Sequence, residues 1–213
     1  MASESFDSLA ALMADLGLDS NPTAGEIRVE EDLNLTIGYR FSPYDYELIL
    51  YYLLKKILDL PLPLNIITEI DLHQYDPDQL PISEFSYGKP GEAYFFTQRE
   101  RKYSCNSLSK RTTTTGYWKA TGLDVKVFHK KLHIHIGFKK TMVFYWGKAP
   151  EGIRSPWIMH EYRLNPFLFP EAQQDDTLKS KIESYVVCRI RDKSDSLDGI
   201  ERPGQGLDEK NKD

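Results

Sequence analysis

Apolar residues repeat at helical spacing in the first half of the chain and alternate with polar residues in the second half. Between 42 and 58, "SPYDYELILYYLLKKIL" carries an apolar face from Ile49 to Ile57, and Ser42 followed by Pro43 is typical of a helix start. The segment "NIITEIDLHQY" then predicts a buried strand that runs into a turn. "DPDQLP" predicts a single helical turn capped by Asp76.

After Gly91 the pattern predicts strands separated by short polar turns, with no helical stretch between them. The predicted strands are Ala93–Gln98, Gly116–Ala120, Val125–His129, His133–Phe138, Thr141–Trp146, Trp157–Leu164 and Tyr185–Ile190. Antiparallel pairing needs no helical crossover, so the expected class is α+β, with a twisted antiparallel β-sheet flanked by a few short helices.

Both ends of the chain differ in composition from the middle. Residues 1–34 are acidic, and "SFDSLAALMADLGL" places five apolar residues at helical spacing, among them Leu12 and Leu16. This extension is either flexible or a short amphipathic helix that docks on a partner or on the chain's own core. Residues 192–213 are expected to form a disordered polar tail, which leaves a folded domain at 35–191.

The chain carries a net charge of −5, and the sign of the charge is unevenly distributed along it. From Arg99 to Lys140 there are eleven Lys and Arg against two acidic residues, so this segment carries +9 and the remainder −14. A segregated basic block is the expected footprint of a protein that binds a phosphate backbone. A solvated face of lysines on strands is the equally weighted alternative.

Several function classes lose support from composition and motifs. Two cysteines are too few for a disulfide framework, no secretory leader is recognised, and no apolar run reaches the length of a membrane span, so we expect a reducing, intracellular setting without a membrane partner.

His133 and His135 are two residues apart on a predicted strand, a spacing that suits metal, but surface histidines explain it better. No nucleophile elbow or phosphate-binding loop occurs, so no enzyme activity, metal or cofactor is expected.

The segment "TTTTGYWKATGLD" combines polar side chains with a large apolar one. If it is extended, Trp118 and Ala120 share one face while Lys119 and Thr121 share the other. Lys119 can donate to guanine or phosphate, the Thr121 methyl can touch a thymine methyl, and the hydroxyls of residues 112–115 can contact phosphates. Gly122 permits a tight turn or close approach. The alternative is that these are ordinary strand threonines and that the glycine only begins a hairpin.

Seven segments in order resemble the subdomains of the plant NAC transcription-factor domain. They are "GYRFSPYDYELILYYLLKKI", "LPLNIITEIDLHQYDPDQLP", "AYFFTQRERKY", "GYWKATGLD", "GFKKTMVFYWGKAPEG", "SPWIMHEYRL" and "YVVCRI". The resemblance implies a nuclear, sequence-specific regulator of transcription that binds double-stranded DNA as a dimer. It also implies that the Trp-Lys-Ala-Thr-Gly strand stands edge-on in the major groove.

Residue roles follow from the resemblance by position. Arg40 and Glu47 match residues that form reciprocal salt bridges across the dimer axis. The positions that match the DNA-binding surface are Lys119, Thr121, Gly122, Arg99, Arg101, Lys102, Arg111, Lys139 and Lys140. Trp118 is expected to support the reading strand from behind.

Some positions depart from the family pattern. The usual Leu-Pro-Pro-Gly-Phe opening is "LTIGYR" here, Leu108 stands where an arginine often contacts DNA, and a short polar tail replaces the usual long C-terminal region. The altered opening weakens the expectation of a dimer, whereas Leu108 and the short tail favour a second hypothesis. In it the chain is a protein-interaction module that heterodimerises with related NAC proteins and modulates them, with weak or no DNA binding of its own.

Overall fold

The computed structural model describes residues 10–17, 38–99, 111–170 and 175–194. Helix α1 spans 10–15, helix α2 runs from Asp45 to Ile57, and helix α3 is Asp176–Ser184. The strands are β1 Thr68–Glu69, β2 Glu92–Gln98, β3 Gly116–Ala120, β4 Val125–Phe128, β5 His135–Trp146, β6 Ile153–Leu164 and β7 Tyr185–Asp192. Short 3₁₀ turns occupy Leu72–Gln74, Pro77–Gln79, Ile82–Glu84 and Pro166–Leu168.

In the described part of the chain, seven strands form one open sheet in the order β1-β2-β7-β6-β5-β3, with β4 also paired to β5. The predicted α+β class is confirmed. All the pairings are antiparallel except β1 with β2, which is parallel, so the sheet is mixed at this edge rather than wholly antiparallel. The buried strand predicted around "NIITEIDLHQY" is reduced to two exposed residues, since only Thr68 and Glu69 pair with β2.

Helix α2 begins two residues later than its sequence predicts, at Asp45 rather than Pro43. Tyr44 is the last extended residue, with φ −66° and ψ 158°, and its backbone N–H donates to Glu47 Oε2 at 2.8 Å. The Glu47 carboxylate therefore caps the first turn, and Ser42 is not the cap. Leu48–Leu54 form a π-helical segment inside α2, and six of its seven residues are buried.

Two further expectations in the second half of the chain were wrong. Residues 135–138 and 141–146 belong to one continuous strand, β5, which also contains Lys139 and Lys140, the polar residues that had suggested a turn; residues 133–134 precede it. Helix α3 lies between β6 and β7, where no helix was predicted. Asp175 caps it by accepting from the N–H groups of Thr177 and Leu178, and only Ile182 among its residues is buried. No helix in the described ranges is long and apolar enough to span a membrane.

The sheet has a hydrophobic core on each face. On one side, called the helix face, Leu53 and the other apolar residues of α2 pack against Tyr94, Tyr162 and Val187. On the other side, called the turn face, Leu72, Leu80 and Ile82 of the 3₁₀ turns belong to a second core with the sheet residues Phe95, Trp118, Phe144 and Trp157. Since neighbouring residues of a strand point to opposite faces, β5 and β6 contribute to both cores.

Helix α1 packs against the helix-face core. Leu12 is 0 % exposed and belongs to this core, and Leu16 packs against its rim. One Asp15 oxygen lies 3.3 Å from Nε2 of the buried His129, and the other lies 3.6 Å from Lys131 Nζ. In the structure, the described part of helix α1 and the residue that follows it therefore dock on the chain's own core through Leu12, Leu16 and the Asp15 carboxylate.

Replacing Leu12 tests this docking. Leu12→Ala should lower the free energy of unfolding by about 2–3 kcal/mol, because it empties a fully buried leucine site. Urea unfolding measures the loss. Leu123→Ala is the matched control, since Leu123 is exposed and its truncation should change stability by less than about 0.5 kcal/mol. Equal stabilities of the two variants would contradict the docking of α1.

Candidate nucleic-acid interface

Strand β3 stands at one end of the strand order, opposite β1, and pairs with β5 through Gly116↔Trp146 to Ala120↔Met142. The observed bounds of β3 agree with its predicted bounds, Gly116–Ala120. Trp118 is buried on the turn face, where its ring meets Phe144 edge-on at a centroid distance of 5.1 Å. Lys119 is exposed on the opposite face, with its ammonium 5.4 Å from the centre of the Tyr145 ring. The predicted alternation of these two side chains is therefore confirmed.

The outer side of β3 is only partly covered in the described part of the chain. Trp118 N–H donates to Arg111 O at 2.8 Å, and Thr113 N–H donates to Gly116 O at 2.9 Å. These bonds place residues 111–113 beside the first half of β3. They end before Lys119 and Ala120, which lie closest to the following connection.

Residues 121–124 form a bulge on this edge of the sheet. Ala120 pairs with Met142 and Val125 pairs with Lys139, so four residues of the edge stand opposite only Lys140 and Thr141. Strands β3 and β4 are thus one edge strand interrupted by surplus residues, which must project away from the sheet. Gly122 has φ +82°, a left-handed conformation that favours glycine, and an added Cβ would meet nothing within 4 Å.

The bulge is held at both ends. At its start, Thr121 N–H donates to Thr141 O at 2.9 Å. At its end, the Asp124 carboxylate accepts from Arg163 Nη2 at 2.5 Å and contacts Lys140 Nζ at 3.1 Å. Burial raises the pKa of Asp124, but hydrogen bonds from Arg163 and Lys140 outweigh it, and the net pKa lies below its ordinary value. Asp124 therefore stays ionised and anchors the bulge to β5 and β6.

Asp76 fixes the loop that leads into β3. Its carboxylate is 1 % exposed, accepts from the hydroxyls of Thr113 and Thr115, and accepts from the Thr115 N–H at 3.2 Å. Asp76 also begins the Pro77–Gln79 turn as predicted, with its own N–H donating to Gln79 Oε1 at 3.0 Å. Two of the four threonines considered for phosphate contact therefore donate their hydroxyls to a buried carboxylate inside the protein.

The five described basic residues of the predicted DNA-binding set lie on both faces of the sheet. On the helix face, Lys139 Nζ lies 2.6 Å from Asp45 Oδ2, whereas Lys119 forms no ion pair with any described residue. On the turn face, Lys140 pairs with Asp124, and Arg99 Nε lies 3.8 Å from Glu161. Arg111 lines a small cavity there together with Arg99 and Glu161. Arg101, Lys102 and Leu108 lie outside the described residues.

The two residues matched to a dimer contact lie near the start of α2. Arg40 is exposed and lines a groove with Tyr39, Glu47 and Pro63. Glu47 accepts from Tyr44 N–H through Oε2 and from the Tyr46 hydroxyl at 3.2 Å through Oε1. Glu47 thus has a structural task within its own chain, which its sequence match did not indicate.

The metal-site alternative receives no geometric support in the described residues, which contain no group of three or more His, Cys, Asp or Glu able to hold a metal ion. His133 follows the turn 130–132 with φ +55° and precedes β5, so it does not share a strand face with His135. Cys188 is fully buried, and burial raises the pKa of its thiol well above the ordinary value. A buried, protonated thiol is a poor nucleophile.

Comparison with known proteins identifies the family. A family model described as "No apical meristem (NAM) protein" matches residues 36–164, which include β3, the bulge and Asp76. The chain belongs to the NAC (No apical meristem) family. It is 44 % identical over 169 residues to NAC transcription factor 25 of Arabidopsis thaliana, covering 76 % of this chain and 51 % of that protein.

Other NAC proteins give similar values. NAC domain-containing protein 68 of Oryza sativa subsp. japonica is 42 % identical over 184 residues, covering 86 % of this chain and 57 % of that protein. NAC domain-containing protein JA2 of Solanum lycopersicum is 44 % identical over 164 residues, covering 77 % of this chain and 44 % of that protein. This NAC chain therefore spans about half the length of the curated relatives it matches.

A substitution at Asp76 tests its hold on the threonine loop. Asp76→Asn should lower the free energy of unfolding by about 1–3 kcal/mol, since an amide nitrogen cannot accept the threonine hydrogen bonds. It should also speed hydrogen exchange at the Thr115 amide, measured by NMR. Asp71→Asn is the matched control, because Asp71 begins the neighbouring 3₁₀ turn from an exposed position and asparagine caps equally well. If both variants behave alike, Asp76 has no special role in the loop.

Proposed function

We propose that this NAC protein is a nuclear regulator of transcription that binds specific double-stranded DNA as a dimer, with the β3 edge in the major groove. The observation that carries the proposal is the anchored bulge 121–124, which projects from an edge strand next to the unpaired ammonium of Lys119. The major groove admits a β-ribbon, and its base edges offer acceptors to lysine. The names of the relatives support the regulatory role.

Edge-on docking also accounts for the distribution of basic residues over two faces. Lys119 and Lys139 belong to the helix face, whereas Arg99, Arg111 and Lys140 belong to the turn face. A duplex laid flat on one face would miss the two or three basic residues of the other face. A sheet standing on its β3 edge has a phosphate strand on each side, so residues of both faces can approach the backbone.

Ion pairs within the protein reduce the charge that is available for phosphates. Asp45, Asp124 and Glu161 neutralise part of the charge of Lys139, Lys140 and Arg99. Counterion release depends on the number of phosphates that a protein neutralises. These three cations therefore contribute less to DNA affinity than their number suggests. Lys119 is exposed, forms no ion pair with a described residue and stands next to the bulge, so it is the proposed base contact.

The dimer is proposed to form around Arg40. This guanidinium is exposed and forms no ion pair with a described residue, while Glu47 lines the same groove. Reciprocal Arg40–Glu47 pairs satisfy the self-complementarity that a two-fold axis requires. Such a dimer presents two β3 edges to two half-sites.

The internal neutralisation of Lys139, Lys140 and Arg99 also favours the second candidate function. In it the chain pairs with a longer NAC relative through Arg40 and Glu47 and weakens DNA binding by the pair. Efficient subunit exchange with a relative, together with salt-independent or undetectable binding to every duplex, would favour this function over the first.

Replacing lysines tests the DNA interface. Lys119→Ala should cost about 1–3 kcal/mol of binding free energy, relax base preference at one position and reduce the salt slope by about one. Fluorescence anisotropy against selected duplexes at several salt concentrations measures all three. Lys139→Ala is the matched control, and its effect should be smaller because Asp45 already partners this lysine. A larger loss at Lys139 would contradict the assignment of Lys119 as the reading lysine.

Charge exchange tests the dimer. Arg40→Glu should shift the protein towards monomer, because each glutamate would face Glu47 of the other subunit, and Arg40→Glu with Glu47→Arg should restore the dimer. Sedimentation equilibrium measures both. Glu47→Gln retains an oxygen that can cap Tyr44 N–H, so it separates the dimer effect from loss of the cap. A dimer that persists unchanged in Arg40→Glu refutes this contact.

A further inference from the structure

The crest of the bulge carries an apolar side chain with no described role. Leu123 is 91 % exposed, more than any other large hydrophobic residue of the described chain. It lies between Gly122, whose backbone is left-handed, and Asp124, which is bound to Lys140 and Arg163. An exposed leucine by itself needs no explanation. This one differs because the chain on both sides of it is fixed.

The fixed ends give Leu123 a defined direction. Thr121 is tied to the Thr141 carbonyl and Asp124 to two cations, so the backbone of the bulge cannot fold back to bury the side chain. The surplus of residues opposite Lys140 and Thr141 directs residues 122–123 outward from the sheet edge. The backbone on both sides of Leu123 is therefore preorganised, and little backbone freedom remains to be lost when the side chain meets a surface.

We infer that Leu123 is a specificity-determining residue that reads the 5-methyl group of a thymine in the major groove. This inference rests on the proposed function, because it requires the β3 edge to enter the groove. Thymine is the base that presents an apolar group there, and apolar side chains contact it. Lys119, four residues earlier on the same edge, selects guanine by hydrogen bonding, whereas Leu123 selects thymine by burial of the methyl group.

The neighbouring side chains on this edge are less well placed than Leu123 to contact a thymine methyl group. The Thr121 hydroxyl is 3.3 Å from the Thr141 carbonyl, so this side chain is drawn back toward β5. The exposed apolar residues Val125 and Phe128 belong to β4, beyond the Asp124 anchor. Leu123 is thus the most exposed of the apolar side chains on this edge.

Replacement of thymidine by deoxyuridine tests the inference, because it removes the methyl group and leaves the hydrogen-bonding edges unchanged. Duplexes are first selected from a random pool with the wild-type chain, and each thymidine of an enriched duplex is then replaced singly. Wild-type protein should lose roughly three- to tenfold in affinity at one thymidine per half-site. Leu123→Ala should bind the thymidine and deoxyuridine forms equally at that position and retain its preference at the Lys119-dependent position.

Leu132→Ala is the matched control, since Leu132 is an exposed leucine in the turn after β4, and it should keep the wild-type response to deoxyuridine. The inference is overturned if no thymidine is methyl-sensitive, if Leu123→Ala and wild type lose equally at every position, or if Leu123→Ala weakens all duplexes alike. Those results leave DNA binding itself intact. Failure to enrich any duplex overturns the proposed function as well, so the two failures are distinguishable.

Discussion

The pairing of two strands with one edge of β5 is the constraint on which the candidate interface depends. Strands β3 and β4 together supply two more residues than β5 can pair, so residues 121–124 leave the sheet opposite Lys140 and Thr141. Pairing within the sheet is retained on both sides of these residues, since β3 pairs with β5 before them and β4 pairs with β5 after them. The bulge is therefore a product of register, and its stiffness comes from the Thr141 carbonyl and the Asp124 ion pairs.

Acidic side chains organise the interface even though the expected ligand is acidic. Asp76 holds the loop before β3 through two threonines, and Asp124 holds the bulge after it through Lys140 and Arg163. Asp45 joins the start of α2 to β5 and β6 by accepting from Lys139 and the Tyr162 hydroxyl. Each carboxylate joins segments that are distant in the sequence, and Lys119 remains exposed beside the start of the bulge.

The sequence predicted strands correctly where apolar and polar side chains alternate along the chain. The bounds of β3 and the opposite placement of Trp118 and Lys119 follow from alternation, because one side chain is apolar and the next is charged. Prediction from the sequence failed where polar residues are paired with side chains that are distant along the chain. Lys139 and Lys140 lie inside β5 because Asp45 and Asp124 partner them, and helix α3 buries only Ile182, too weak a pattern to predict.

The sequence by itself determined the fold class, the segregated basic block and the strand at its centre, since these depend on local patterns of burial and charge. Tertiary structure alone decided that Asp76 receives Thr113 and Thr115, that four residues oppose two at the bulge, and that the basic residues divide between two faces. These features join residues that are far apart along the chain. Their partners become defined only when the register of β5 is fixed.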